Sequence, residues 1–184
     1  MKYRAGGAAL LAGLMLIAPA GGAAQEAPAS IETRLQRVED ELAIRRVLVD
    51  YAATLDARDY AAYAALFTPD GEWTGGGGTH KGPAAIEALL AKVLGPAGAP
   101  NSADFHIISN PQVNVRGDRA TATSRYLFVM RGKDGRPEPS LAGIYTDELA
   151  RQADGGWKIR RRIAADIMPS REEWARIIAE RTGQ

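Results

Sequence analysis

The sequence contains no cysteine. Disulfides, thiol catalysis and cysteine-based metal sites are thereby excluded. It has only two histidines, His80 and His106, so imidazole chemistry has few places to be. Neither sign of charge dominates, with 23 Lys and Arg against 22 Asp and Glu. That balance gives no footprint for nucleic acid and no reason to invoke a membrane surface. The motifs GxSxG, GxxxxGK[ST] and GxGxxG are all missing, so the glycine run 75–78 reads as a flexible rim and not as a phosphate cradle.

What is present begins with a segment that does not belong to the fold. Lys2 and Arg4 precede the apolar run GGAALLAGLMLIA (6–18), and small residues follow in PAGGAAQ. Cleavage after Ala24 matches a secretory signal peptide, 1–24. The run is too short and too rich in Gly and Ala for a good membrane-spanning helix. The expectation is an exported, periplasmic protein with no stable membrane insertion after cleavage. Without Lys2 and Arg4 the balance is 21 basic to 22 acidic residues. The remaining organisation is a linker at 25–30, one domain at 31–168 and a C-terminal helix within 169–184.

Within the domain, apolar periodicity predicts the elements. Ile31, Leu35, Val38 and Leu42 recur at helical spacing, and Ile44, Leu48, Tyr51 and Leu55 repeat it on a shifted stripe. The shift implies two packing partners for one helix, or a bend. Ser30 is a plausible N-cap. Asp59 caps a second helix, Tyr60 to Phe67, and Thr68-Pro69-Asp70-Gly71 reads as a turn. A short strand, a glycine loop and a return follow, then a helix from Pro83 to Val93. Strands are expected at about 104–109, 111–116, 119–131, 141–152 and 156–167, separated by turn residues. Ser170-Arg171-Glu172-Glu173 is a capping box for the last helix. Helices followed by a long antiparallel sheet make an α+β pattern: a curved antiparallel sheet wrapped around the N-terminal helices, closing into a cone with a central pocket.

Chemistry centres on His106, in the strand-like DFHIISN. Read by itself, a histidine on a partly apolar strand is a core residue satisfied by a backbone carbonyl. The catalytic alternative needs a carboxylate to orient the ring. Asp56 is the best candidate, because its charge opposes the dipole at the end of the long helix. Tyr51 lies five residues earlier, about 140° around an ideal helix from Asp56. Arg161 alternates with Trp157 and Ile159, which would aim it into a pocket, while Arg160 and Arg162 fall on the other, solvated face. His80 and Lys81 read as surface residues. His80 and His106 fall on unrelated elements, so no metal site is expected.

The segments AIRRVLVDYAATLDARDYAAYAALFTPDGEW, GTHKGPAAIEALL, FHIISNPQVNV, GDRATATS and GIYTDELARQADGGWKIRRR together resemble the SnoaL-like branch of the nuclear-transport-factor-two-like superfamily. The resemblance runs from about Ile31 to Ile167. Within it the chain is similar to the group of scytalone dehydratase, bile-acid 7α-dehydratase and hexachlorocyclohexane dehydrochlorinase. That resemblance implies a His–Asp dyad at His106 and Asp56, a pocket tyrosine at Tyr51, a pocket tryptophan at Trp73 and an anion-stabilising arginine at Arg161. Phe67 and Tyr126 would be apolar walls. Asp104 stands where the dehydrochlorinase is uncharged, so it is a candidate substrate contact, and the substrate does not transfer.

The implied activity is a cofactor-independent lyase, of the dehydratase, elimination or isomerase type, acting on a small hydrophobic substrate. The alternative is a non-catalytic small-molecule binder using the same pocket, since fold alone does not give function. A hydrolase with an Asp–Arg–Asp set is a further reading in which His106 has no role. A homodimer or homotrimer is expected, paired through the open sheet face or the last helix.

Overall fold

A computed structural model describes residues 29–182. The expected signal peptide and most of the linker lie outside the described residues.

The first helix, α1 (Ile31–Asp56), starts where Ser30 Oγ accepts the Thr33 amide at 3.2 Å. It satisfies one of the donors that a helix start leaves orphaned. The two apolar stripes have different fates. Ile44, Leu48, Tyr51 and Leu55 are buried against the sheet and neighbouring helices. Each such burial contributes roughly 1.5–3 kcal/mol. Ile31 and Leu42 are 71% and 62% exposed, and Leu35 and Val38 lie open between them. The first stripe therefore has no packing partner among the described residues. At the far end Arg58 takes a left-handed backbone, φ 57°, and its Nη1 donates to the Leu55 carbonyl at 3.2 Å. A cation thus closes a helix whose last turn contains none.

Asp59 caps α2 (Tyr60–Ala65) by accepting the Ala62 amide at 3.0 Å. The expected turn at residues 68–71 is instead the start of a strand, β1 (Phe67–Gly75). Its turn chemistry is absorbed by a bulge: the register against the neighbouring strand shifts between Phe67 and Glu72. Gly71 sits at the tightest point. A Cβ there would lie 2.9 Å from the Thr68 carbonyl and 3.0 Å from that of Ile159. β1 folds back on β2 (Gly78–Lys81), so His80 and Lys81 are on a strand and not in a loop. Pro83 begins α3 (Pro83–Leu94).

The two short strands expected over 104–116 are one, β3 (Asp104–Arg116). Asn110, at φ 51°, absorbs the break as a register shift between Ser109 and Gln112. β4 (Arg119–Arg131), β5 (Pro137–Arg151) and β6 (Trp157–Met168) complete one sheet in the order β2-β1-β6-β5-β4-β3. All pairings are antiparallel except β1 with β6, which is parallel. The expected all-antiparallel sheet is corrected at that pair. The helices α1–α3 with this curved six-stranded sheet form the α+β architecture. The last helix, α4 (Arg171–Thr182), carries the capping box: the Ser170 amide donates to Glu173 Oε2 at 2.7 Å, and the Glu173 amide to Ser170 Oγ at 3.3 Å.

Two ion pairs brace this framework, one between α1 and β5 and one between β5 and β6. Arg151 grips Asp40 with two bonds of 2.6 Å, and Trp157 Nε1 donates to the same carboxylate at 3.1 Å. Arg162 grips Asp147 at 2.6 and 2.8 Å, with both side chains essentially inaccessible.

Candidate active site

The sheet and helices enclose a cavity of about 450 Å³. His106, Tyr51 and Trp73 lie on its wall, as do Tyr126, Asp166 and, from α4, Trp174. Alternation along β3 turns Asp104, His106 and Ile108 inward, while Phe105 and Ile107 face out. Asp56 ends α1 at the point where β3 passes it. Its Oδ1 lies 2.7 Å from His106 Nδ1, and its Oδ2 accepts the His106 backbone amide at 2.9 Å. One carboxylate thus fixes both the ring and the backbone of a single residue. The His106 side chain is 10% exposed and packs against Phe128 at 4.6 Å between ring centroids. With Nδ1 occupied, Nε2 is left as the ring nitrogen on the cavity side. It has no hydrogen-bond partner among the described residues.

Tyr51 lies deeper. Its hydroxyl accepts from Trp73 Nε1 at 3.0 Å, and its ring packs against Tyr63 and Tyr145. Burial pushes the Tyr63 and Tyr145 hydroxyls far above the ordinary tyrosine range. These phenols are therefore neutral donors at any working pH.

Three expected site residues are elsewhere. Arg161 points outward and is 47% exposed, 3.9 Å from Glu148. The cause is a bulge at Arg160: Glu148 pairs with Arg161 but Leu149 with Ile159. One extra residue reverses the alternation, so Arg162 is the arginine that turns inward. It lies over the Tyr51 ring at 3.7 Å and the Tyr145 ring at 4.4 Å. Burial alone would lower its pKa, but Asp147 more than offsets that and keeps it cationic. Its Nη1 is buried without a partner among the described residues. The signal that could have located it is Asp147. A carboxylate between the inward-facing Tyr145 and Leu149 needs a buried cation opposite, and Arg162 is its register partner.

Asp104 also does not line this cavity. It pairs with Arg58 at 2.7 Å, both side chains nearly inaccessible, and so secures the helix end beside the dyad. Phe67 is in the core behind Tyr63, with 5.7 Å between ring centroids, and does not line the cavity. Tyr126 and Trp73 do line it. Sequence reasoning missed Asp166, Phe128 and Trp174. Among the described residues no cluster of three or more His, Cys, Asp or Glu could hold a metal ion. His80 instead meets the Gly77 carbonyl at 3.3 Å.

The fold and this cavity define the class. The chain belongs to the SnoaL-like domain family, whose model matches residues 36–163. An uncharacterized protein of Mycobacterium tuberculosis is 32% identical over 131 residues, spanning 68% of this chain and 84% of the relative. Among solved structures, an NTF2-like protein with a cystatin-like fold from Novosphingobium aromaticivorans is 28% identical. Its TM-score is 0.67, and the match covers 76% of this chain and 90% of that one. The hexachlorocyclohexane dehydrochlorinase LinA-type3 from Novosphingobium barchaimii is 26% identical with a TM-score of 0.61, covering 72% and 90%. This chain therefore shares its fold with at least one lyase as well as with proteins of no stated activity.

Proposed function

We propose that the protein is a cofactor-independent lyase, of the dehydratase, elimination or isomerase type, acting on a small hydrophobic molecule. The observation that carries this reading is the double grip of Asp56 on His106. A carboxylate on Nδ1 selects the tautomer whose Nε2 is free to accept a proton, and it stabilises the imidazolium that forms. In this reading His106 is the general base toward an acidic C–H, and Asp56 is its positioning residue. Tyr51, held by Trp73, offers a hydroxyl to the substrate. Arg162, against the Tyr51 and Tyr145 rings, supplies fixed positive charge beneath the site for negative charge that develops during the reaction. The dehydrochlorinase neighbour agrees with a lyase.

A binding protein would need the cavity but not the dyad, and one experiment separates the two readings. The mature protein is incubated with candidate carbon acids in deuterium oxide, and C–H exchange and turnover are followed by NMR and mass spectrometry. Asp56→Asn is expected to lower the rate by about 10²–10⁴-fold with ligand affinity nearly unchanged. Ligands that bind but show neither exchange nor turnover would make the protein a binder. We further propose that it acts after export, with cleavage following Ala24. N-terminal sequencing of the periplasmic form, finding Gln25 first, is the check.

A further inference from the structure

The cavity has a second polar pole that the dyad does not use. Asp166 on β6 faces the cavity, and the Tyr126 hydroxyl donates to its Oδ1. The two residues are not on neighbouring strands, because β5 runs between them. The position they flank on β5 is Gly143, in register with Tyr126 on one side and with Asp166 on the other. A Cβ at Gly143 would overlap the Tyr126 hydroxyl. The missing side chain is what lets a tyrosine reach across one strand to a carboxylate two strands away. The other oxygen, Asp166 Oδ2, has no hydrogen-bond partner among the described residues.

From this geometry we infer that Asp166 is a specificity-determining residue: it accepts a hydrogen bond from a hydroxyl on the substrate, and Tyr126 positions it. The inference rests on the proposed reading only in taking the cavity as the substrate site. A carboxylate on the cavity wall with one oxygen committed and the other without a protein partner among the described residues has a place for a donor. A phenol or alcohol supplies one. A halide or a carboxylate at that position meets like charge or lone pairs and is disfavoured.

Tyr126 is not a proton source here. Burial, then the Asp166 carboxylate, hold its phenol far above the ordinary range. Ionising it would place two negative charges together. β4 and β5 separate β3 from β6, about 14 Å measured along the curved sheet at roughly 4.8 Å per strand. The anchored hydroxyl is therefore on a different part of the molecule from the C–H facing His106, with a ring system between them. The substrate class is a hydroxylated ring compound, and its selected hydroxyl is remote from the reacting carbon.

The test uses two probes of matched shape, 2-naphthol and 2-chloronaphthalene, with binding to the mature protein measured by equilibrium dialysis. Wild type is expected to prefer 2-naphthol by about tenfold or more, the preference that one hydrogen bond to an ionised acceptor provides. Asp166→Leu should abolish the preference while leaving 2-chloronaphthalene binding unchanged or tighter. Tyr126→Phe should reduce it several-fold, because the carboxylate loses its support. Equal binding of the two probes by wild type, failure to bind either, or an unaltered preference in Asp166→Leu overturns the inference. Tighter binding of 2-(aminomethyl)naphthalene than of 2-naphthol would overturn the hydroxyl assignment in favour of an ammonium. The preference should also survive in Asp56→Asn. A failed dyad with an Asp166-dependent preference would sink the lyase reading alone, and the reverse result would sink only the anchor.

Discussion

At Arg162 a guanidinium lies against two tyrosine rings, with Asp147 as its only carboxylate partner among the described residues. The desolvation of both charges is tolerated because each is held by the other. Removing one partner leaves a naked charge in the core. Asp147→Ala is expected to destabilise the fold by about 3–5 kcal/mol in urea titration, and the double change Asp147→Leu with Arg162→Met to recover most of that loss. Recovery in the double variant would show the pair to be dispensable for stability and retained for the site. His106→Ala supplies a complementary prediction. Stability should change little relative to Asp147→Ala, while any exchange activity falls about 10²–10⁴-fold. His106 and Asp56 could be picked out as candidates in the sequence because each was oddly placed, an imidazole on an apolar strand and an acid at the wrong helix end. Arg162 was harder to read: strand alternation predicts its direction only while the register is unbroken, and Asp147, the carboxylate opposite it, is the one hint. Nothing in Lys158-Ile159-Arg160-Arg161 announces an extra residue.

Bulges decide much of what the elements do. β1 and β3 each contain one and β6 two, and those at β1, β3 and Arg160 each misled a simple reading by alternation or turn chemistry. At β1 the cost of the bulge is a close backbone approach at Gly71. Gly71→Ala is expected to cost about 1–3 kcal/mol by thermal unfolding, since the crowding atoms are mainly backbone carbonyls that cannot rotate away. The helices were easier to read. Ser30, Asp59 and Ser170 all cap as their side-chain chemistry dictates. The unread part of α1 is its first apolar stripe. Periodicity marks it as a face to be covered, but no described element covers it.

Asp40 on α1 gives a pH prediction. Hydrogen bonds from Arg151 hold its carboxyl below the ordinary value. A carboxyl depressed in the fold contributes stability that is present above its unfolded pKa and is lost as pH falls through its folded one. Stability should therefore decline as pH drops below about 4. Asp40→Asn should remove about 2–3 kcal/mol at neutral pH and flatten that acid limb in denaturation curves.

For the whole molecule, one strand order brings a histidine on an edge strand and an aspartate on an inner strand to a common cavity, with an acid at a helix end behind the histidine. None of these is near another in sequence. α4 then lies at the same cavity through Trp174, and Arg181 on that helix pairs with Glu138 of β5. The fold class was visible in the order of elements, since helices concentrated in the first half and a run of long strands after them leave few other arrangements. The cavity lining was visible only in part, because it depends on which strands become neighbours.

The placement of the indoles has a practical consequence. The chain has three tryptophans. Trp73 and Trp174 line the cavity, whereas Trp157 is buried against Asp40 under Arg151. A ligand that expels water from the cavity should shift the emission of the first two and leave the third as an internal reference. The response should persist in Trp157→Phe and vanish when Trp73 and Trp174 are both changed to Phe. The protein thus carries its own optical reporter, and compound libraries can be read for occupancy by fluorescence before any product is known.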